Sequence, residues 1–410
     1  MRWPLTRCTE PPLCFRRGIS LLAAFTVTSS FRTFQHRGSI SSHQTSQVMT
    51  SVASSKSADA LAAYAIEGRG QWSLGPTEAL RRIVPDLGQD RHKGQLGRIG
   101  VFGGSRDYTG APFFASMSAL RTGADLAYVM TAEEAAPALK AYNPELMVTP
   151  VYSAVWPGGF ASSSQDFHNT VSSLLPKLHS LVVGPGMGRE QRLQVALTEV
   201  LRSAVGRDLP LVLDADALVL VACDGHVRLT HEDLQGRSIS GLDGLLRCYP
   251  RLVLTPNAYE FKLLYERIGS SREAAVVEPG PEDANGERAV EHAAKSLGGV
   301  TIVRKGKVDV ISDGSRTISC GVPGGLKRCG GIGDVLSGAM GTFMAWVSIQ
   351  GFVEPEAAEM RMWAAWWACA VTKHASRLAY EAHGRSMSAT HVLEHVGRVL
   401  EDIAPSPPVL

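Results

Sequence analysis

The chain has 410 residues and a mass of 43.9 kDa, with 41 basic against 39 acidic side chains and a net charge of +2. Hydrophobic residues make up 44% and charged ones 20%, which fits a globular protein with a large core and excludes a disordered or collagen-like chain. The near-neutral balance gives no general electrostatic footprint for nucleic acid, so no such partner is expected.

Residues 1–56 differ in composition from everything that follows. Arg2, Arg7, Arg16, Arg17, Arg32, Arg37 and Lys56 face one acid, Glu10, among many Ser and Thr. A basic, Ser-rich, acid-poor start is the pattern of a mitochondrial or plastid transit peptide, because import machinery selects such segments. The competing reading is a secretory signal with Ile19 to Phe25 as its apolar core. The expectation is a disordered targeting leader over 1–56, with Met49 as an internal start that would give a cytoplasmic form.

Cys8, Cys14, Cys223, Cys248, Cys320, Cys329 and Cys369 are scattered without a C-x-x-C pair, as in a protein with reduced thiols. The apolar stretch 335–352 is interrupted by Gly, Ser and Thr, and 362–371 is too short to span a bilayer, which takes about 20 residues. Both read as buried helices, and no membrane partner is expected.

Beyond the leader, apolar runs bounded by Gly or Pro recur at 99–102, 126–130, 181–183, 211–213, 252–254 and 301–303. Helical patterns lie between them, at 111–122, 133–141, 192–204 and 260–267. Near-continuous apolar strands alternating with helices predict a doubly wound, mostly parallel α/β sheet with helices on both faces. A single catalytic domain is expected over about residues 74–402, with the polar segment 270–287 as a surface loop.

In such sheets ligands bind outside the carboxyl ends of the strands. The runs are followed there by Gly103-Gly104-Ser105, Gly184-Pro185-Gly186-Met187-Gly188, Asp214-Ala215-Asp216, Thr255-Pro256-Asn257 and Arg304-Lys305-Gly306. Turn glycines serve any sheet, but a Lys and two Asp at one edge suggest a polyanion site. A P-loop is absent, and Gly184 to Arg189 has the wrong glycine spacing for a dinucleotide fingerprint. Asp214 and Asp216 have a second reading, as caps of the helix that follows; Asp214 leans towards the nucleotide site, and for Asp216 the two readings are balanced.

The densest segment is Gly324-Gly325-Leu326-Lys327-Arg328-Cys329-Gly330-Gly331-Ile332-Gly333-Asp334, running into a long apolar helix. Helix N-terminal N–H groups lack intrahelical partners and carry partial positive charge, so they form an anion site, and glycines let an oxygen come close. A lone Asp there would read as a helix cap. Beside a bound phosphoryl group, Asp334 is instead placed to take a proton from an attacking hydroxyl.

Gly330-Gly331-Ile332-Gly333-Asp334 resembles the G-x-G-D signature of the ribokinase-like superfamily, and Asn257-Ala258-Tyr259-Glu260 its N-x-x-E element. A wider set narrows the resemblance: His92-Lys93-Gly94, Gly103-Gly104-Ser105, Asp107 to Pro112, Asn143-Pro144-Glu145-Leu146, Gly184 to Gly188, Asp214-Ala215-Asp216, Lys305-Gly306 with Asp309, and His383-Gly384-Arg385-Ser386. Together these resemble the ATP-dependent NAD(P)H-hydrate dehydratase family over nearly all of the chain after the leader. The resemblance implies a ribokinase-like fold and an ATP-driven repair of hydrated NADH and NADPH. ATP phosphorylates the ring hydroxyl and phosphate loss restores the reduced nucleotide. It implies ATP as co-substrate, Mg²⁺ as cofactor, and small molecules as the partners; no residue marks or excludes a homo-oligomer.

By the same resemblance Asp334 is the base, and Gly331, Ile332 and Gly333 form the anion hole. ATP is contacted by Lys305, Gly306, Lys307, Val308 and Asp309, and by Gly324, Gly325, Leu326, Lys327, Arg328, Cys329, Gly330, Gly331, Ile332 and Gly333. The hydrated dinucleotide is contacted by Gly186, Gly188, Asn257, Ala258, Tyr259, Glu260, Phe261, Lys262, Leu263 and Asp334, with Tyr108, Gly110 and Ala111 near the ring. Glu260 is the candidate for holding Mg²⁺ through water. The family usually has Gln where this chain has Ile332; the backbone N–H survives that change, and a side-chain role would not. The alternative reading is a vitamin-precursor kinase of the same fold, of the hydroxyethylthiazole type.

Two other patterns have plainer explanations. His391-Val392-Leu393-Glu394-His395 matches an H-x-x-E-H zinc pattern but leaves little chain to supply a third ligand. Trp363, Trp366 and Trp367 have a spacing that suits helix packing better than a cofactor box.

Overall fold

The computed structural model describes residues 58–153, 164–190, 193–222, 230–232, 238–240, 246–269 and 286–406. The expected leader, Met49 and residues 270–285 of the expected loop lie outside the described residues. The strands in chain order are β1 (Ala65–Glu67), β2 (Arg98–Phe102), β3 (Leu126–Ala132), β4 (Leu146–Tyr152), β5 (Ser180–Val183), β6 (Leu211–Leu213), β7 (Thr230–Glu232), β8 (Ser238–Ser240), β9 (Leu252–Leu254), β10 (Thr301–Arg304), β11 (Asp309–Ser312) and β12 (Thr317–Cys320). The helices are α1 (Ala58–Ala62), α2 (Pro76–Ile83), α3 (Gly110–Thr122), α4 (Ala136–Tyr142), α5 (Ser164–Leu174), α6 (Leu193–Val205), α7 (Asp216–Ala222), α8 (Ala258–Gly269), α9 (Glu287–Ser296), α10 (Ile332–Ile349), α11 (Glu356–His383) and α12 (Ala389–Ile403).

Ten strands form one sheet in the order β1-β12-β11-β10-β9-β6-β5-β2-β3-β4, with β7 and β8 a separate ribbon. From β10 through to β4 every neighbouring pair is parallel, while β11, β12 and β1 add an antiparallel flank. The order reverses between β2 and β5, which makes that crevice the topological switch point where ligands settle in doubly wound sheets.

The strands are apolar on both faces, and alternate residues enter different cores. Leu181, Val183, Leu211, Leu213, Leu252 and Leu254 join one buried cluster. Val182, Val212 and Val253 join the other, with α10, α11 and the tryptophans. Period-two placement explains why these runs are continuous in sequence yet serve two layers. Trp363, Trp366 and Trp367 are wholly buried in the second layer and touch one another edge to face.

The helical patterns 111–122, 133–141, 192–204 and 260–267 fall on α3, α4, α6 and α8. Helix α4 starts later than its pattern, where Pro137 sits in the first turn and needs no N–H partner. The apolar stretch 335–352 is the body of α10, long and apolar enough to cross a membrane by composition, yet buried across residues 335–347. The sheet reaches beyond the expected boundary at residue 74, since β1 pairs with β12.

Candidate active site

The loops that follow β2, β5, β6, β9 and β10 leave the carboxyl edge of the sheet, and Lys305 after β10 brings the start of α10 to them. Gly331 is the N-cap of α10 with φ +95°, a left-handed conformation that favours glycine. A side chain there would also meet Ala389 at 2.6 Å and the Phe114 ring at 2.9 Å, so the starts of α12 and α3 hold this turn closed from behind. No side chain caps the helix, and the direction away from Gly330 is open. The first N–H groups of α10 are left facing the crevice, as an anion requires.

Asp334 stands at the third position of α10, and its carboxylate takes its own backbone N–H. Burial, then the charge of Asp214, push its pKa up to about 7, with Lys305 pulling back. A carboxyl poised there can accept a proton near neutral pH, unlike an ordinary aspartate.

Lys305 follows β10, and its Nζ stands 2.6 Å from Asp214 Oδ1 and 3.8 Å from Glu260 Oε2. The same ammonium lies 3.6 Å from where a Cβ on Gly333 would be, so it overhangs the mouth of α10. Burial alone would lower its pKa; Asp214 and Glu260 outweigh it and hold Lys305 above the ordinary range. Asp214 is itself buried and accepts the Thr255 hydroxyl at 2.8 Å. Its carboxylate therefore positions Lys305, and among the described residues it accepts no helix N–H.

Asn257 and Glu260 form a reciprocal capping box at the start of α8. Asn257 Oδ1 accepts the N–H groups of Tyr259 and Glu260 at 2.9 and 3.0 Å, and Glu260 Oε2 accepts the Asn257 N–H at 2.8 Å. This shared motif thus has a folding role that the sequence reading did not include. Glu260 is buried, which raises its pKa against the pull of Lys305, and its Oε1 makes no hydrogen bond among the described residues.

The turn 305–309 is shaped from inside. Asp309 Oδ1 accepts the Gly306 N–H at 2.8 Å, and Lys373 on α11 bonds the carbonyls of Gly306 and Lys307 and lies 3.3 Å from Asp309 Oδ2. Burial pushes the Asp309 pKa up, while Lys373 opposes it. Lys307 and Val308 form the outer part of the turn, between the Gly306 N–H and Asp309. Lys373, Thr372 and Cys369 face a cavity of about 110 Å³ that Lys305, Gly333 and Ile332 also line. None of those three α11 residues was given a site role from sequence; they lie mid-helix, and no local pattern marks them.

On the loop before α10, Gly325 packs on Ser376 and Tyr380, Gly324 and Arg328 line the cavity, and Lys327 Nζ bonds the Arg385 carbonyl at 2.7 Å. Leu326 is 82% exposed, and Cys329 is partly exposed.

Across the switch point, Gly186 has φ +59°, and a Cβ there would meet Tyr108 at 2.8 Å and Ala111 at 3.0 Å. This close approach joins the loop after β5 to the turn 108–111, where Gly110 opens α3 and Tyr108 is exposed. Asp216 begins α7, yet its oxygens take the Gly188 N–H at 3.0 Å and Arg189 Nε at 2.7 Å. It secures that loop, a contact beyond the simple cap. Ala258 and Tyr259 are exposed at the mouth of α8, and Leu263 is partly buried. Two expected contacts do not join the cluster by their side chains. Phe261 is buried in the core against Tyr265, and Lys262 pairs with Glu266 on the outer face of α8.

The profile of the NAD(P)H-hydrate dehydratase family matches residues 99–398. The chain belongs to the NAD(P)H-hydrate dehydratase family. It is 39% identical over 321 residues to the ATP-dependent (S)-NAD(P)H-hydrate dehydratase of Rattus norvegicus, covering 78% of this chain and 83% of that one. Its fold is similar to a ribokinase-like superfamily protein of Enterococcus faecalis, with a TM-score of 0.56, 20% identity, and 80% and 95% of the two chains covered. It also resembles the ADP/ATP-dependent NAD(P)H-hydrate dehydratase of Bacillus subtilis co-crystallized with ATP/Mg²⁺, with a TM-score of 0.53, 22% identity, and 82% and 98% coverage. In this family member, therefore, the glycine-started α10, Lys305 and the switch-point loops lie on a ribokinase-like sheet.

In the H-x-x-E-H pattern, His391 Nδ1 faces the Ser388 N–H at 3.1 Å in the box that starts α12, and its ring stacks on His383. Among the described residues no group of three potential ligands is arranged to hold a metal ion.

Proposed function

We propose that this chain catalyses ATP-dependent dehydration of the S-epimer of hydrated NADH and NADPH, regenerating NADH or NADPH with release of ADP and phosphate. The observation that carries it is a carboxylate titrating at about 7 on the uncapped start of α10. Family membership names the reaction that such a site would run.

Asp334 takes the proton of the ring hydroxyl, whose oxygen attacks the terminal phosphorus of ATP as ADP leaves. The N–H groups of Gly331, Ile332 and Gly333 receive the phosphoryl oxygens, and donors fixed in a water-poor site are worth more than the same donors in water. Lys305, held by Asp214, lies over the same point and balances the charge that develops. The ring C–O bond then breaks with phosphate as leaving group, and a ring proton is lost. Hydroxide leaves poorly and phosphate well, so the kinase step makes the dehydration possible.

The ATP segments are 305–309 and 324–333, and the dinucleotide lies along Gly186, Gly188, the mouth of α8 and the turn 108–111. The residues present suit a water-held Mg²⁺: the fit rests on the open Oε1 of Glu260, with no protein cage to compete with phosphate oxygens. Bound there, the ion would neutralise phosphate charge. From composition we read residues 1–56 as a leader for mitochondrion or plastid, which N-terminal sequencing of the protein isolated from its cells would test.

The test is absorbance of the reduced nicotinamide after mixing protein, Mg²⁺, ATP and acid-hydrated NADH. Recovery that needs ATP is expected. Consumption of ATP on hydroxyethylthiazole without recovery would replace this reading with the kinase one.

A further inference from the structure

The His92-Lys93-Gly94 motif has no place in the reaction above. It lies at the other edge of the sheet, where β2 and β5 begin, and a pocket of about 450 Å³ opens there between the turn 92–95, Arg98, His179 and the end of α10. Helix α10 has 18 residues, so this pocket is about 27 Å from its catalytic start.

The pocket is lined by cations and imidazoles, with no acid among them. Arg98 and Lys93 make no ion pair among the described residues. Arg98 is partly buried; among the described residues its Nε has no hydrogen-bond partner, and its guanidinium meets His179 Nε2 at 2.9 Å. Gly94, with φ +99°, leaves space for that guanidinium, which a Cβ would approach to 3.3 Å. Asp125 lies nearby but spends Oδ2 on the N–H groups of Gly94 and Leu96. That carboxylate brings one full negative charge beside the pocket, and the carbonyl end of α10 brings roughly half of one. Against the two full charges of Arg98 and Lys93, the balance stays positive by about half a charge. A guanidinium without a carboxylate is suited to forked contact with a tetrahedral oxyanion. The volume falls within the range of about 300–1,000 Å³ typical of small-ligand pockets.

We propose that this pocket is a second anion site, for a phosphate group carried as inorganic phosphate or as a small phosphate monoester. Arg98 and Lys93 supply the charge, and His92 and His179 flank it.

The readout is imidazole NMR of the full chain, since the carboxyl-edge crevice has no histidine among the residues assigned to it. The groups acting on His179 are Arg98 and Asp125; its pKa lies below the ordinary value through burial and then Arg98. Bound phosphate should raise the His179 midpoint by about half a unit or more. Lys93→Ala, an exposed change that keeps the fold and turnover, should weaken that response several-fold, and Arg98→Gln should remove it. Inorganic phosphate and AMP in separate titrations tell the two carriers apart. No shift with either anion, an equal shift with perchlorate at matched ionic strength, or a larger shift with a Glu-rich peptide would overturn the proposal.

Discussion

Asp334, as the proposed base, would combine a catalytic and a folding consequence in one side chain. Its pKa of about 7 means that the acid limb of kcat/KM should fall about tenfold per pH unit below that value. Asp334→Asn should cut turnover by about 10²–10⁴ while ATP binding stays measurable. The stability sign separates base from cap. A carboxyl whose folded pKa is raised binds its proton more tightly in the native state, so stability is lost as pH rises from the ordinary carboxylate range to about 7. Asp334→Asn removes that loss, and above pH 7 its Tm should equal or exceed that of the parent. A lower Tm with lost ATP binding would make Asp334 a helix cap. Ile332 is a second case at this scale. Its side chain packs partly against the second core and lines the small cavity, while its N–H is the part assigned to the proposed anion hole. Ile332→Gln should therefore leave KM for ATP within about twofold, since ATP contact rests on the backbone.

Between elements, the strongest dependence is that of β10 on β6 through Lys305 and Asp214. Lys305→Met leaves a buried carboxylate without its partner, a change that costs about 3–5 kcal/mol. Adding Asp214→Asn should restore most of that stability in a denaturant melt and none of the activity. Lys373 ties α11 to the turn 305–309, so Lys373→Met should raise KM for ATP about tenfold, or about 1.4 kcal/mol, with kcat changing less. Lys373→Arg should recover part of it. Elements also show why some structure was readable from sequence and some was not. β6 and β9 are Leu-Val-Leu runs buried on both faces, so burial writes itself into composition. In β4, at the sheet edge, Thr149 and the exposed Pro150 interrupt the apolar residues, and β11 and β12 bury Ser312, Thr317 and Ser319, so none is a continuous apolar strand. β1 has three residues, too few for a period. Of the candidate site, the glycine loop and Asp334 were legible because they are adjacent in sequence and open one helix. Lys373 was not, because it reaches the site from a helix folded across it.

At the largest scale, the described residues form a sheet between two cores, and the proposed catalytic groups stand on elements that run through one of them. Every residue of α10 from Val335 to Val347 is buried, Ser118 bonds the Val335 carbonyl, and Gly338 lets α3 approach its backbone. The proposed anion hole is thus the partly exposed tip of a deeply enclosed helix, not a flap hung on the surface. Proteins open piecewise, and segments that release easily are those with few buried contacts. α10 has no such freedom. Its amides from 335 to 347 should exchange with deuterium only when the molecule unfolds as a whole, and bound ATP should slow them only as far as it slows global unfolding. Heat should then remove turnover and far-UV ellipticity in a single transition, with no temperature at which a folded chain has lost its site.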